Sequence, residues 1–455
     1  MKAYSYTPFH GELESLKGPE LTALKEVPEG WYVDYKESAP SIKDLAKHLS
    51  AFANQYGGWL FLGVKEKEDK GMTAGSFPGV PSSSIPSLQV SLREAVSAHL
   101  RPSPFFETRV IYGPVPELGL PSDRAVMTIG VPEGVDPPYI HSSGRIYRRV
   151  ADQSDPKPET DRHVLDLLWG RSALTRQRLE DFLTDRPVLS KAETDGPVHA
   201  YVYFLADPQF VGHHFPLTYG DFASVMESIV PQSMSDVALP NTFTTPEGFI
   251  ARHVADNDPR NELLTFRWWM NGNARVSIPI NVHDFIGSKP HLDTLQLSFL
   301  EAIRKRGFKA GKIAEFSVFL SVLTAMGGKY LRLRKTLGIT DSFFGKIRLY
   351  DTWRIIPFVN WKSYVKEIEV HGFPVVQDET LTCPPGLASN TLVEMNETEF
   401  QDNSARAFLT VLPLAGAALQ GVGINFGSIA GGFNQEFIGE FSSAWADSLK
   451  QKPIR

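Results

Sequence analysis

Glu29-Gly-Trp-Tyr-Val-Asp34-Tyr35-Lys36-Glu37, followed by Ser50-Ala51-Phe52-Ala53-Asn54, Gly57-Gly58 and Leu60-Phe61-Leu62-Gly63-Val64, is the stretch that decides how this chain folds. Trp31–Asp34 reads as a short strand ahead of a Ser/Pro turn. Ser41 stands where a helix needs an N-cap, and Asp44, three residues on, supplies the acidic partner of a capping box. Leu45, Leu49, Phe52 and Ala53 then share one helical face. Gly57-Gly58 ends the helix. Trp59–Val64 is a continuous apolar run of strand length, bounded by glycine and charge, and so reads as a buried strand.

Working outward, residues 66–87 are rich in turn formers. Ser87–Leu100 is an amphipathic helix closed by Pro102 and Pro104. Phe106–Tyr112, Ala125–Val131 and Arg145–Val150 read as strands, and Asp161–Leu168 as a helix. Residues 1–28 have turn formers and no clear period, which predicts a polar extension. Residues 169–190 predict a helical linker. Val198–Leu205 is a strong strand, and Leu264–Trp269 with Ala274–Ile280 flank Met270-Asn271-Gly272-Asn273, a hairpin by its Asn-Gly pair. These place a second unit at 191–290. A third, 291–455, opens with a helix near His291–Arg306. The expected fold class is mixed α/β (α+β) and multidomain, with no internal repeat.

The length of 455 residues fits roughly two to four domains. A hydrophobic fraction of 42% excludes disorder over the whole chain. The single cysteine, Cys383, excludes an intramolecular disulfide and a cysteine-cluster zinc site. It suits a reducing cytoplasm, and the first twenty residues lack a signal-peptide core. Ala407–Asn434 is uncharged, but six glycines and Pro413 make it a poor bilayer helix. It reads as buried core, with no membrane partner, and its Gly421-Val-Gly423 as packing glycine. His213-His214 is the only adjacent histidine pair, and neighbours on a strand point apart. There is no P-loop, nucleophile elbow or His-Glu-x-x-His motif.

The net charge of −6 announces no nucleic acid. Local charge differs: between Lys305 and Lys362 twelve basic residues face three acids, Glu315, Asp341 and Asp351. That stoichiometry predicts a continuous positive surface. Its interleaved Phe308, Phe343, Phe344, Tyr350, Trp353 and Trp361 suit either single-stranded nucleic acid or an amphipathic domain with a wet face.

The opening stretch resembles the Alba-like (AlbA_2) domain of the Schlafen family. The family pattern is an acid, four residues, an acid, an aromatic and Lys, then a helix ending Ala-Phe-Ala-Asn, Gly-Gly, an apolar strand and Gly-Val. Pro138-Tyr139 and Gly144-Arg145-Ile146-Tyr147-Arg148-Arg149-Val150 resemble its closing strand. The resemblance covers 29–168. It implies a nucleic-acid-binding domain and, in the nuclease members, metal-dependent cleavage of structured RNA. Carried over here, Glu29 and Asp34 would be catalytic acids and ligands for Mg2+ or Mn2+, as hard cations take oxygen donors. Lys36 would neutralise phosphate. The family's third acid falls on Lys65 here, so Glu66, on the opposite strand face, is the candidate third ligand.

Three further sets carry readings of their own. Arg145, Arg148 and Arg149, with Lys36, Lys43 and Lys47, could hold a phosphate backbone or form a salt-bridged surface. Alternation puts Arg145 and Arg149 on one face and Arg148 on the other. Gly57-Gly58 reads as a positive-φ turn, and Asn54 as a cap within it. The functional expectation is an RNA- or DNA-binding protein, an endoribonuclease if the acids are live. The competing expectation is a non-catalytic regulator whose downstream domains sense a ligand or assemble a homo-oligomer.

Overall fold

The computed structural model describes residues 4–10, 13–67, 72–150, 153–187, 198–208, 215–229, 237–253, 263–283, 294–308, 311–339, 342–396 and 403–425. His213-His214 and the part of the apolar segment beyond Asn425 lie outside them. The chain divides into two compact units, Met1–Arg178 and Leu179–Arg455.

In the first unit, β1 (Val33–Lys36), β2 (Gly58–Leu62), β5 (Val80–Pro81), β7 (Glu107–Tyr112) and β8 (Arg124–Val131) form one sheet, in which β2 pairs parallel with β1 and antiparallel with β8. Short strands β3 (Lys65–Glu66) and β4 (Ala74–Ser76) pair beside it. The helix α1 (Ile42–Asn54) connects β1 to β2, and Ser41 Oγ accepts from Asp44 N as the sequence predicts. Leu60 and Leu62 pack with Leu45, Leu49 and Phe52 of α1 and with Leu88 and Leu92 of α2 (Ile85–His99). Trp59 and Phe61, on the opposite face, pack with Phe9, Leu16, Leu21 and Leu24. Both faces are covered, which is why β2 reads as an unbroken apolar run. The expected polar extension 1–28 is therefore part of the core. Leu13, Leu21 and Leu24 lie in 3-10 turns, Leu13–Ser15 and Gly18–Glu26, whose period the helical pattern does not detect.

The unit closes with β6 (Leu100–Arg101) paired to β9 (Ile140–His141), and β10 (Tyr147–Val150) paired to β11 (Gln153–Pro158). The helix α3 (Arg162–Thr184) runs well beyond the predicted Leu168, through most of the expected linker, and the unit boundary falls within it.

The second unit is built on one antiparallel sheet, in the order β13 (Asn241–Thr245), β14 (Gly248–His253), β15 (Leu264–Trp269), β16 (Ala274–Ile280), β12 (Val198–Leu205), β19 (Phe343–Tyr350) and β21 (Thr380–Cys383), with β22 (Val393–Met395) also on β19. A smaller sheet joins β17 (Val282–His283), β18 (Lys312–Glu315) and β20 (Ile355–Phe358). The hairpin forms at Asn271-Gly272, where Gly272 takes φ 80. The expected division at 290 does not hold, because β12 pairs β16 on one side and β19 on the other. Strand pairing over such separations leaves no local signature. Ala200, Val202 and Phe204 face a core shared with the helix Phe316–Thr336, while Tyr201, Tyr203 and Leu205 face a second cluster with Leu179, Phe182 and Leu183. In the apolar segment, Val411, Leu414, Ala418 and Leu419 are buried, as expected. No helix among the described residues is long and apolar enough to cross a membrane.

Within the basic segment 305–362, Lys305, Lys312, Lys335, Arg354 and Lys362 are exposed, but Lys329, Arg334 and Lys346 are buried and add nothing to a positive surface. Lys329 Nζ donates to the carbonyls of Val225, Met226 and Ser228 at 3.0–3.2 Å. Lys346 Nζ donates to Pro384 O, Gly386 O, Thr391 O and Thr391 Oγ1 at 2.6–3.0 Å. Arg334 lies over Phe343, 4.9 Å from its centroid, and Arg348 over Tyr350 at 5.1 Å. Counting acids does not find these partners, because main-chain carbonyls and aromatic faces also accept cations.

Candidate nucleic-acid interface

Asp34 lies at the centre of the motif that opens the domain, and its carboxylate has no accessible surface. Lys36 Nζ lies 2.5 Å from Oδ1, while Arg149 NH1 and His48 Nδ1 lie 2.5 Å and 2.8 Å from Oδ2. Arg149 also donates to Gly30 O and Val33 O. Local geometry explains the grouping. β1 places Asp34 toward α1, whose buried face presents His48, and β10 brings in Arg149. Burial pushes the Asp34 carboxyl up, but the His48 hydrogen bond and the charges of His48, Arg149 and Lys36 outweigh it and hold it well below the carboxylate range.

Glu29 is also buried. Its Oε1 accepts from Tyr35 N at 2.5 Å, and its Oε2 has no hydrogen-bond partner among the described residues. Burial and then the Asp34 charge push its carboxyl up to about 7, against the Tyr35 bond and the Lys36 charge; Glu66 adds to the rise. Among the described residues no three His, Cys, Asp or Glu side chains are grouped so as to hold a metal ion. The donor set does not fit Mg2+ or Mn2+. Both Asp34 oxygens are occupied by cationic groups, Glu29 resists ionising, and Lys65 adds an ammonium beside Glu66.

The six basic candidates separate by role. Arg149 is fully buried on Asp34, so it shares no surface with Arg145, which is exposed in the turn before β10. Burial alternates along β10 itself, but the strand begins at Tyr147, so the alternation used to pair Arg149 with Arg145 does not extend to Arg145. Arg148 Nε lies 2.6 Å from Glu159 Oε2. Lys36 is held by Asp34. Lys43 and Lys47 lie in the first turns of α1, Lys43 beside His141 and Lys47 over Tyr147. His141 N donates to Arg145 O, its ring lies edge-on to Tyr147 with centroids 5.5 Å apart, and Lys47 Nζ sits 5.7 Å from the Tyr147 centroid. Burial holds the His141 imidazole below its ordinary value, against a hydrogen bond with the Lys43 main chain and with help from the charges of His99 and Lys43. His99 stacks on His141, centroids 6.1 Å apart, and contacts Ser142 Oγ through Nδ1 at 2.9 Å. Sequence reasoning missed both histidines. They meet through the β6–β9 pairing, a contact without a local signal.

Asn54 and Gly57 are structural. Asn54 Nδ2 donates to Tyr139 O and Tyr147 O, and its Oδ1 accepts from Tyr139 N, fastening the end of α1 to β10. Gly57 takes φ 76, and a Cβ there would lie 2.7 Å from Glu133 N and Val131 O.

This constellation is that of a small α/β domain in which Asp34 is held by ionic contacts, Glu29 is buried against the main chain of Tyr35, and Lys43, Lys47 and Arg145 remain open to solvent. Residues 29–158 match the Schlafen, AlbA_2 family, which bears out the likeness seen in the sequence for the N-terminal third; the remainder has no family assignment. The match points to a nucleic-acid-related role. No curated protein matches. A crystal structure of a Corynebacterium diphtheriae protein is similar at 20% identity and a TM-score of 0.21, over 33% of this chain and 31% of that one. The chain thus spans about a third of that protein's length. A solution structure of the N-terminal domain of a putative ATP-dependent DNA helicase RecG-related protein from Nitrosomonas europaea is similar at 22% identity and a TM-score of 0.23, over 31% of this chain and 93% of that domain.

Proposed function

We propose that the first unit binds RNA or single-stranded DNA through phosphate contacts from Lys43, Lys47 and Arg145, and that Glu29 and Asp34 serve the fold rather than catalysis. The observation that carries this reading is the placing of Lys43 beside His141 and Lys47 over the Tyr147 ring, with Arg145 exposed in the turn whose main chain meets His141. Among the described residues, the acid paired with them is Asp155, 4.0 Å from Lys47. The family match supports the partner class. Such contacts position a strand without reading its sequence. Metal-dependent endoribonuclease activity is the second reading; it rests on the family alone and is opposed by the occupied oxygens of Asp34.

The test is oligonucleotide affinity as a function of salt for the wild type and for Lys43→Ala with Arg145→Ala. The double variant should bind more weakly, its log K against log salt flattened by about 0.7–0.9 for each phosphate that is no longer neutralised. Unchanged affinity and slope would reject the assignment.

A further inference from the structure

Four aromatic rings of the first unit form a chain of contacts. Tyr6 and Tyr32 are stacked, with centroids 5.3 Å apart. Tyr32 and Tyr56 follow at 6.1 Å, and Tyr56 and Trp31 at 6.0 Å. Tyr56 lies just before the Gly57-Gly58 turn and Trp59 just after it, and the two rings differ sharply. Trp59 is 1% exposed and packs against Tyr4 and Phe9, whereas Tyr56 is 45% exposed. Trp31, Tyr32 and Tyr6 are half-buried. Core packing accounts for Trp59. It does not account for Tyr56, whose ring forgoes much of the burial through which aromatic side chains stabilise a fold.

The main chain that carries these rings is fixed from several sides. Arg149 donates to Gly30 O and Val33 O, and Trp59 N donates to Tyr32 O. Gln55 N and Gly57 N, on either side of Tyr56, both donate to Phe52 O, and Arg171 NH1 donates to Gln55 O. Rings held in place before a ligand arrives lower the ordering cost of binding. The rings also adjoin the cationic patch. Asn54, two residues before Tyr56, donates to Tyr147 O at 3.0 Å, and Lys47 lies over the Tyr147 ring. Arg149, two residues after Tyr147, donates to the carbonyl of Gly30, which precedes Trp31. β10 thus joins the residues that carry the cations to those that carry the rings. Aromatic faces beside a cationic patch suit a single strand, because an unpaired base has a free π-face to stack.

We propose that Trp31, Tyr32 and Tyr56 form a stacking platform for unpaired bases of a strand whose phosphates rest on Lys43, Lys47 and Arg145. The inference rests on the nucleic-acid reading above and deepens it: the interface selects single strands over duplexes and tolerates any sequence, since every base has a π-face.

The experiment follows the anisotropy of fluorescein-labelled RNA with the full chain, using a single strand, the same strand in a duplex, and a strand of abasic sites. It compares wild type, Trp31→Ala with Tyr56→Ala, Trp31→Phe with Tyr56→Phe, and Lys43→Ala with Arg145→Ala. The wild type should prefer the single strand to the duplex and to the abasic strand. Affinity for the single strand should fall about tenfold in the Trp31/Tyr56 alanine variant. Its salt slope should be unchanged, because the rings neutralise no phosphate, and the phenylalanine variant should bind as the wild type does. Equal wild-type affinity for all three RNAs would overturn the platform, and that comparison stands whether or not the alanine variant folds. Wild-type affinity in the Trp31/Tyr56 alanine variant, with weaker binding in the Lys43/Arg145 variant, would overturn the platform and leave the nucleic-acid reading standing. Absence of RNA binding by the wild type would overturn both.

Discussion

Arg149 in the first unit and Lys346 in the second are both buried cations, yet they are satisfied by different partners. Arg149 meets a carboxylate, Asp34, which also takes Lys36 and His48. Lys346 meets four neutral oxygens of the segment Pro384–Thr391. The first arrangement gathers full charges on one acid, and that acid is consequently held ionised. The second leaves a lone ammonium among dipoles, and burial pushes it down to about 8 although the Cys383 thiolate form would oppose the fall. A basic residue in the sequence can therefore become a structural counter-charge, a loop clamp or a surface cation, and only the last is open to nucleic acid.

The comparison breaks most readily at Asp34. Asp34→Ala leaves Arg149 buried without its carboxylate and should cost about 3–5 kcal/mol, read as a lower thermal midpoint for the first unit in calorimetry. A change no larger than that of an exposed-site variant would show that the ionic cluster contributes little. Lys346→Met removes a cation and leaves neutral carbonyls, so the cost should be smaller, about 1–3 kcal/mol, and confined to the second unit's transition. If Lys346→Met proved the more damaging, the proposed ranking of charge pairs over carbonyl cages would be wrong.

Protonation sharpens the same contrast. The Glu29 carboxyl titrates near 7 in the folded chain and near 4.5 unfolded, so the folded state holds the extra proton between those values. Its stabilising contribution is complete below about pH 4.5 and is lost as pH rises through about 7. Glu29→Gln keeps the acceptor for Tyr35 N and should remove this decline, worth on the order of 3 kcal/mol. An unaltered pH dependence in denaturant titrations would contradict the placement of Glu29. Lys346 works in a different window: its folded value of about 8 lies below the ordinary 10.5, so stability should rise between those two pH values. That rise should vanish in Lys346→Met.

Much of the first unit was legible because its signals are local. The Ser41 cap, the apolar face of α1 and the unbroken strand Trp59–Val64 each follow from spacing within one element. What escaped was set by distance along the chain. Arg149 reaches Asp34 across more than a hundred residues, and the His99–His141 stack depends on β6 meeting β9. The strand expected from Arg145 then begins only at Tyr147, so the alternation that would place Arg145 with Arg149 does not reach it. In the second unit the same limit hid the pairing of β12 with β19, and so made one sheet read as two domains.

Titration of Mn2+ into the full chain, followed by calorimetry beside Glu29→Gln and Lys65→Asp, tests the central claim that the acid pair belongs to the fold and not to a metal centre. The account predicts no one-to-one binding in the wild type that Glu29→Gln removes, and the emergence of measurable binding when Lys65→Asp exchanges an ammonium for a carboxylate. A stoichiometric ion in the wild type, absent in Glu29→Gln, would contradict it.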